Sequence, residues 1–266
     1  AGEEGKRDVY VVHTDGSGLA KLTGDPGDDR DPSWLRRGDG IVWSTNRAGS
    51  YDLWTMKPDG SAPTRLTDRE GDELEPAVAP VGYRLLGVVV DGCVPEEAMT
   101  AELAMHDRIA FTSVVAGKPA VVLQSLDGAD ELRLSPPGSS CRSPSWAGDG
   151  GALSWVCEGR GGPTVFHAEA QWDRSVEEAL AAVRATRGPA RSCAPEDLER
   201  WTEGCAAELP RRRASYDGRA VSRPADKLDD PSYSANGTLL LAAGGDPAGL
   251  RMRSRGTDEW TVVPGA

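Results

Sequence analysis

Residues 8–23 read DVYVVHTDGSGLAKLT and residues 52–67 read DLWTMKPDGSAPTRLT, an offset of 44 throughout. Residues 120–135, AVVLQSLDGADELRLS, repeat the frame again at an offset of 68. Each copy holds an apolar run, an Asp-Gly pair and a second short run ending in Leu-Thr or Leu-Ser. Asp-Gly suits a tight hairpin turn, since glycine tolerates positive φ. Each copy therefore predicts two paired strands, with Val9, Leu53 and Val121 at one equivalent position.

A second unit recurs between these copies. It reads DPSWLRRGDGIVWSTN from Asp31, SPSWAGDGGALSWVCE from Ser143 and DPSYSANGTLLLAAGG from Asp230. A degenerate copy starts EPAVAP at Glu75 and resumes with RIAFTS at Arg108. Pro32 to Trp43 and Pro144 to Trp155 are both 11 residues, whereas Pro76 to Phe111 is 35. The excess of 24 is also the difference between the two offsets, which places an insertion at about 81–107. Pro144 to Pro231 is 87, which places another near 172–214.

One period thus carries four strands: one after the Pro, one ending in an aromatic, one before Asp-Gly and one ending in Leu-Thr. Val9–Val12 and Ile41–Trp43 are apolar on both faces, as sheets covered on both sides require. Such repeats stacked around an axis form a β-propeller. The expected fold is one all-β propeller domain over residues 1–266, with about five four-stranded blades, the first incomplete, and a small helical insertion.

The pattern D-[IVL]-[YW]-x-M-x-x-D-G-S, then L-T, then E/D-P-x-W-S-x-D-G-x-x-I-x-[FW]-x-S resembles the propeller repeat of TolB and of peptidase gate domains. Residues 8–67, 108–157 and 230–254 carry the resemblance, with decreasing closeness. The usual Trp-Ser-Pro-Asp-Gly is altered here to Trp34-Leu35-Arg36-Arg37-Gly38-Asp39-Gly40 and Trp146-Ala147-Gly148-Asp149-Gly150. The resemblance implies a fold and leaves function open.

Ring closure has two solutions at this point. Residues 8–23 form the outer half of a blade with only seven residues before them. Either strands near Ser232 and Leu239–Ala242 complete that half-blade, leaving 250–264 as a tail, or the missing strands come from a cleaved or omitted upstream segment or another chain. Open strand edges invite aggregation, so some closure is expected.

In the 172–214 insertion, Ser175-Val176-Glu177-Glu178 matches a capping box, and Val176, Leu180 and Val183 share a helical face. Gly188-Pro189 ends that helix, and Pro195 opens another carrying Leu198 and Trp201. The 81–107 insertion predicts a strand at Tyr83–Val90 and a short helix at Glu96–Met105. These excursions either build a partner surface at one rim or decorate the propeller side.

Five cysteines are present. Hairpin pairing that sets Trp146 near Leu153 also sets Cys141 nearly opposite Cys157, a plausible disulfide. Cys193–Cys205 is the second candidate pair, and Cys93 is left over. No zinc or redox spacing occurs. Two disulfides imply a periplasm or cell exterior. The opening Ala1-Gly2-Glu3-Glu4-Gly5 suits a mature end after cleavage. No run of 18 apolar residues spans a membrane, and the net charge of −12 disfavours nucleic acid.

No Gly-x-Ser-x-Gly elbow, His-Glu-x-x-His motif or phosphate loop occurs, and His13, His106 and His167 fall in unrelated frames. Carboxylates recur before the prolines: Asp28, Asp29 and Asp31; Asp72, Glu73 and Glu75; Asp229 and Asp230. They can bind Ca²⁺ through oxygen ligands at one channel mouth, or serve only as turn formers. Trp34, Trp43, Trp54, Trp146 and Trp155 read as blade-packing residues, with sugar stacking as the alternative. The expected function is a non-catalytic exported module that binds another protein through a rim or the insertions, with no cofactor unless Ca²⁺. The alternatives are the gate domain of a larger peptidase-like enzyme, or a calcium- or carbohydrate-binding module.

Overall fold

The structure is a computed structural model that describes residues 6–35, 38–79, 93–94, 108–126, 128, 131–148, 150–171, 191–192, 215–216, 218–234, 238–245, 248–257 and 259–263. Antiparallel sheets follow one another along the chain. The first pairs β1 (Tyr10–Val11) with β2 (Ala20–Lys21). The second runs β3 (Asp29–Trp34), β4 (Ile41–Thr45), β5 (Asp52–Met56), β6 (Thr64–Arg65) in spatial order. The third holds β7 (Asp72–Val78), then β9 (Arg108–Val115), β10 (Lys118–Ser125) and β11 (Glu131–Arg133), while β8 (Cys93–Val94) lies outside it.

The fourth sheet holds β12 (Ser140–Trp146), β13 (Ala152–Gly159) and β14 (Gly162–Gln171), whose far edge takes both β16 (Ser215–Tyr216) and β17 (Arg219–Ala220). Between them in sequence, β15 (Arg191–Ser192) pairs in parallel with β8, with Arg191 opposite Cys93. Backbone of the two insertions therefore meets. The fifth sheet runs β18 (Leu228–Tyr233), β19 (Leu239–Gly244), β20 (Gly249–Ser254), β21 (Thr261–Val262). A 3₁₀ turn at Pro224–Asp226 leads into it. No α-helix occurs among the described residues. The helices and strand expected within the insertions lie outside those residues.

The repeat is geometric as well as textual. Third and fourth strands close on the same backbone bond in all five sheets: Leu22 to Val9, Leu66 to Leu53, Leu134 to Val121, Val221 to Val165 and Val263 to Leu250, each amide donating to the carbonyl at 2.8–3.0 Å. The turns at Asp15-Gly16 and Asp59-Gly60 are wider than a two-residue hairpin. The Lys57 amide donates to Ser61 and that of Gly60 to Lys57, while the Asp59 carboxylate accepts from the Ser61 amide at 2.9 Å. Gly60 sits at φ +83° with its Cα against the Leu22 backbone, where a Cβ would come within 2.8 Å of the Leu22 carbonyl oxygen.

Sheets stack because no single one hides its own apolar faces. Val9 packs against Ile41, Trp43 and Met56. Val42 and Leu53 pack against Ile109, Phe111 and Val122. Val121 and Leu123 meet Cys141, Trp146, Leu153 and Trp155. Val165 meets Leu228, Leu240 and Ala242. A side chain as fully buried as Leu53 contributes about 1.5–3 kcal/mol.

One closure solution is corrected. Ser232 and Leu239–Ala242 do not complete the N-terminal half-blade, because they pair within the fifth sheet (Ser232 with Leu241, Leu241 with Met252). Gly249–Ser254 and Thr261–Val262 are that sheet's outer strands and no tail. Local pairing between adjacent strands wins over a pairing that would span the chain.

Candidate functional site

The first strand of each complete sheet begins before its proline, not after it. In all four, the residue preceding proline takes a left-handed conformation: Asp31 (φ 53°), Glu75 (φ 54°), Ser143 (φ 55°) and Asp230 (φ 45°). The ladder shifts register at the same place, between Arg30 and Ser33, Leu74 and Ala77, Arg142 and Ser145, and Asp229 and Ser232. This is a β-bulge. Proline disfavours right-handed helical φ/ψ at its predecessor, and Asp tolerates the left-handed region. The acidic residues read as loop turn formers thus lie on or at the start of the innermost strands.

The six candidate metal ligands are placed as follows. Asp28 accepts from the Arg7 amide at 2.8 Å, from the Arg7 guanidinium, and from the Tyr51 hydroxyl at 2.6 Å. The Arg7 hydrogen bond holds its carboxyl far below the usual range. Asp29 is buried and accepts from Trp43 Nε1 at 2.9 Å and from Arg47 at 3.1 Å. Asp31 pairs with Arg30 at 3.0 Å. Asp72 accepts from the Tyr51 amide at 3.0 Å. Glu73 is fully buried and accepts from Thr67 at 3.2 Å, and burial pushes its carboxyl up to about 7. Glu75 accepts from Thr112 at 2.7 Å and from the Ser143 amide at 2.8 Å, which ties the bulge of the third sheet to that of the fourth. They face different partners, and among the described residues no three His, Cys, Asp or Glu gather as a metal site.

Asp229, in the same frame, accepts both guanidinium nitrogens of Arg142 at 2.8 and 2.7 Å, which ties the fourth sheet to the fifth. Sequence reading missed Arg142, although it occupies the frame of Arg30. Cys141 pairs with Cys157 across β12 and β13 in a disulfide. The same strand positions hold Asp29 opposite Thr45 in the second sheet. Sulfur has replaced the carboxylate there, and among the described residues Trp155 Nε1, the counterpart of Trp43 Nε1, has no hydrogen-bond partner. Cys193 and Cys205 lie outside the described residues.

The innermost strands surround a cavity of about 410 Å³. Pro32, Pro76 and Pro144 line it with Ser33, Ser145 and Trp146. Tyr233 also faces it and was not singled out from the sequence, although it stands in the frame of Trp34 and Trp146. Its hydroxyl hydrogen-bonds His167 Nδ1, and His167 Nε2 approaches Glu169, which pairs with Arg255 at 3.1 Å. Burial pushes the Tyr233 hydroxyl well above its ordinary value and pulls His167 below its own, so both stay neutral near pH 7. The wall is uncharged, with pyrrolidine rings, an indole edge and hydroxyls.

The tryptophan expectation holds for Trp43 and Trp155, which are fully buried, and for Trp146, whose Nε1 donates to the Ala77 carbonyl at 3.0 Å. Trp54 is half-buried over Arg47. Trp34 is corrected: it is 50% exposed. Trp146 leans back on the first strand of the preceding sheet, whereas among the described residues the sheet before Trp34 holds β1 and β2 alone.

Neither a scan against family models nor a search of curated proteins finds a match. Solved structures do match. TolB from Acinetobacter baumannii aligns at a TM-score of 0.55 and 10% identity, over 95% of this chain and 47% of that one. A chain of a nidogen/laminin complex aligns at 0.53 and 12%, over 93% of this chain and 69% of that one. Puromycin hydrolase aligns at 0.55 and 13%, over 97% and 35%. The chain spans about half the length of the Acinetobacter TolB. At such identities the likeness concerns fold alone, and together with the repeated strand pattern it gives this chain a TolB-like β-propeller fold.

Proposed function

We propose that this chain is an exported propeller module that binds another protein and performs no chemistry of its own. The cavity wall carries the reading. Proline rings, serine hydroxyls and an indole edge suit polypeptide, with apolar contact and hydrogen bonds but no fixed charge. The carboxylates that could have supplied acid–base chemistry are engaged in ties between or within sheets. Export is supported by the Cys141–Cys157 disulfide, which persists in oxidising compartments. Among the described residues no helix is long and apolar enough to cross a membrane. Cross-linking in the native source followed by co-purification tests the reading. A stable partner is expected, and recovery of the chain alone at every cross-linker dose would count against it.

A second reading has one observation behind it, the likeness to puromycin hydrolase, of which this chain matches 35%. There the propeller would be one domain of an enzyme. Hydrolysis of aminoacyl amides by the protein purified from its native source would favour that reading, and inactivity would remove it.

A further inference from the structure

His167 and Ser154 stand opposite each other on β14 and β13, and both are buried. The same places hold Thr55 opposite Val42 in the second sheet and Leu123 opposite Ala110 in the third. Val42 packs against Val78, and Ala110 and Leu123 pack with Trp146. Val78 and Trp146 occupy the frame of Tyr233. Stacking at this position therefore works through apolar contact, and the repeat does not require a histidine, a serine and a phenol there.

The polar set forms one chain of hydrogen bonds. His167 Nε2 lies 3.5 Å from the Glu169 carboxylate. A neutral ring that carries its proton on this nitrogen has a bare Nδ1, so the Tyr233 hydroxyl donates to it. The Ser154 hydroxyl bonds the Tyr233 oxygen in turn and stands 3.5 Å from the Ser145 carbonyl oxygen. Tyr233 and Ser145 both line the cavity.

A protonated imidazole has no acceptor. Nδ1 must then donate to the Tyr233 oxygen, the phenol must turn its proton to Ser154, and Ser154 must turn its own to the Ser145 carbonyl. Every group keeps a partner in both states, so the chain of bonds has two polarities. Among the described residues, Glu169 on the same strand and Arg253 and Arg255 on β20 are the charged groups that act on His167, and Arg219 stands opposite it on β17. From β18 it meets the Tyr233 hydroxyl, and the 3₁₀ turn meets β14 away from it, at Gly162. Burial holds His167 below its ordinary value, so the reversal takes place in mildly acidic solution.

We propose that proton uptake by His167 reverses the Tyr233 and Ser154 hydroxyls, adds a hydrogen bond to the Ser145 carbonyl on the cavity wall, and releases a polypeptide seated there. Release follows from charge. A polypeptide over the cavity takes water away from Tyr233 and from His167 behind it, and a desolvated imidazole resists its proton. By linkage, the protonated protein holds the polypeptide less tightly. The release step rests on the protein-binding reading, and the reversal does not.

Nitrogen NMR of the labelled protein tests the reversal without a partner. Above the midpoint, His167 should show a protonated Nε2 and a bare Nδ1. The amide nitrogen of Trp146 shares its peptide group with the Ser145 carbonyl, so it should shift with the His167 midpoint. Tyr233→Phe should abolish the Trp146 shift while His167 still titrates, and Ser154→Ala should do the same if Tyr233→Phe does not fold. A Trp146 amide that stays still, or that moves equally in both variants, would overturn the reversal.

The release is read on the protein recovered by cross-linking in the native source. Its affinity should fall about fivefold or more between about pH 7.5 and about pH 5, and stay level in His167→Gln. An equal pH dependence in both chains would overturn the release. A chain that captures nothing at about pH 7.5 would remove the protein-binding reading and the release together, and the Trp146 titration would still decide the reversal.

Discussion

The Leu53 amide donates to the Thr67 hydroxyl at 2.8 Å, and that hydroxyl in turn reaches the Glu73 carboxylate at 3.2 Å. One side chain thus closes the third strand on the fourth and touches the first strand of the next sheet. Val9 with Thr23 and Val165 with Ser222 repeat the first of these bonds. Thr67→Val should destabilise the fold by about 1–3 kcal/mol, because it strands a buried amide. Thr67→Ser should cost far less. Urea unfolding of the two variants separates a hydrogen-bonding role from a packing role, and equal losses would favour packing.

Glu73 makes stability depend on pH in an unusual direction. Its carboxyl is held up to about 7 by burial, against 4.5 when unperturbed. Between these values the unfolded chain releases a proton that the folded chain keeps. Stability therefore falls as pH rises from 4.5 to 7 and levels off above, by up to about 3 kcal/mol. Glu73→Gln should remove that slope. Melting temperatures of both proteins from pH 5 to 8 would show it, and parallel curves would refute it.

Arg142 and Asp229 join two sheets through a bidentate pair. The Arg142 hydrogen bond depresses the Asp229 carboxyl. The stabilisation is thus complete above the ordinary carboxylate range and fades as pH drops through the lowered value. Both side chains are about a third exposed, at 31% and 32%, so solvent screens them. A double-mutant cycle with Arg142→Ala and Asp229→Ala should give a coupling of about 0.5–1 kcal/mol at low salt. A coupling unchanged in 1 M salt would contradict the electrostatic account.

Cys141 and Cys157 close a loop with a sequence separation of 16 residues. Reduction, or the double change Cys141→Ser and Cys157→Ser, should lower stability by about 2–4 kcal/mol. The strands should keep pairing, since Leu153, Trp155 and Val156 stay buried on β13. Far-UV circular dichroism together with a melt in reductant checks both halves of this expectation.

Calcium is the remaining ligand that the acidic frames invite. Each of Asp28, Asp29, Asp31, Asp72, Glu73 and Glu75 is engaged with an arginine, a hydroxyl, an amide or an indole of its own. We expect flat calorimetry on Ca²⁺ addition. Binding lost in Asp31→Asn or Glu75→Gln would show that these ties open for a cation.

Strand pairs, their order and their repeat were legible in the residues because each unit is local: two apolar runs and an Asp-Gly turn within 16 residues, recurring in one frame. The Cys141–Cys157 bridge was legible for the same reason, since hairpin pairing alone sets it. Tertiary structure decided the rest. His167 and Tyr233 are 66 residues apart, and Arg142 and Asp229 are 87. Such contacts depend on which sheets become neighbours around the axis, and no local pattern encodes that. The exposure of Trp34 arises likewise from what lies beside a residue in space. A repeat copies its own sequence, but the neighbours it meets differ from sheet to sheet.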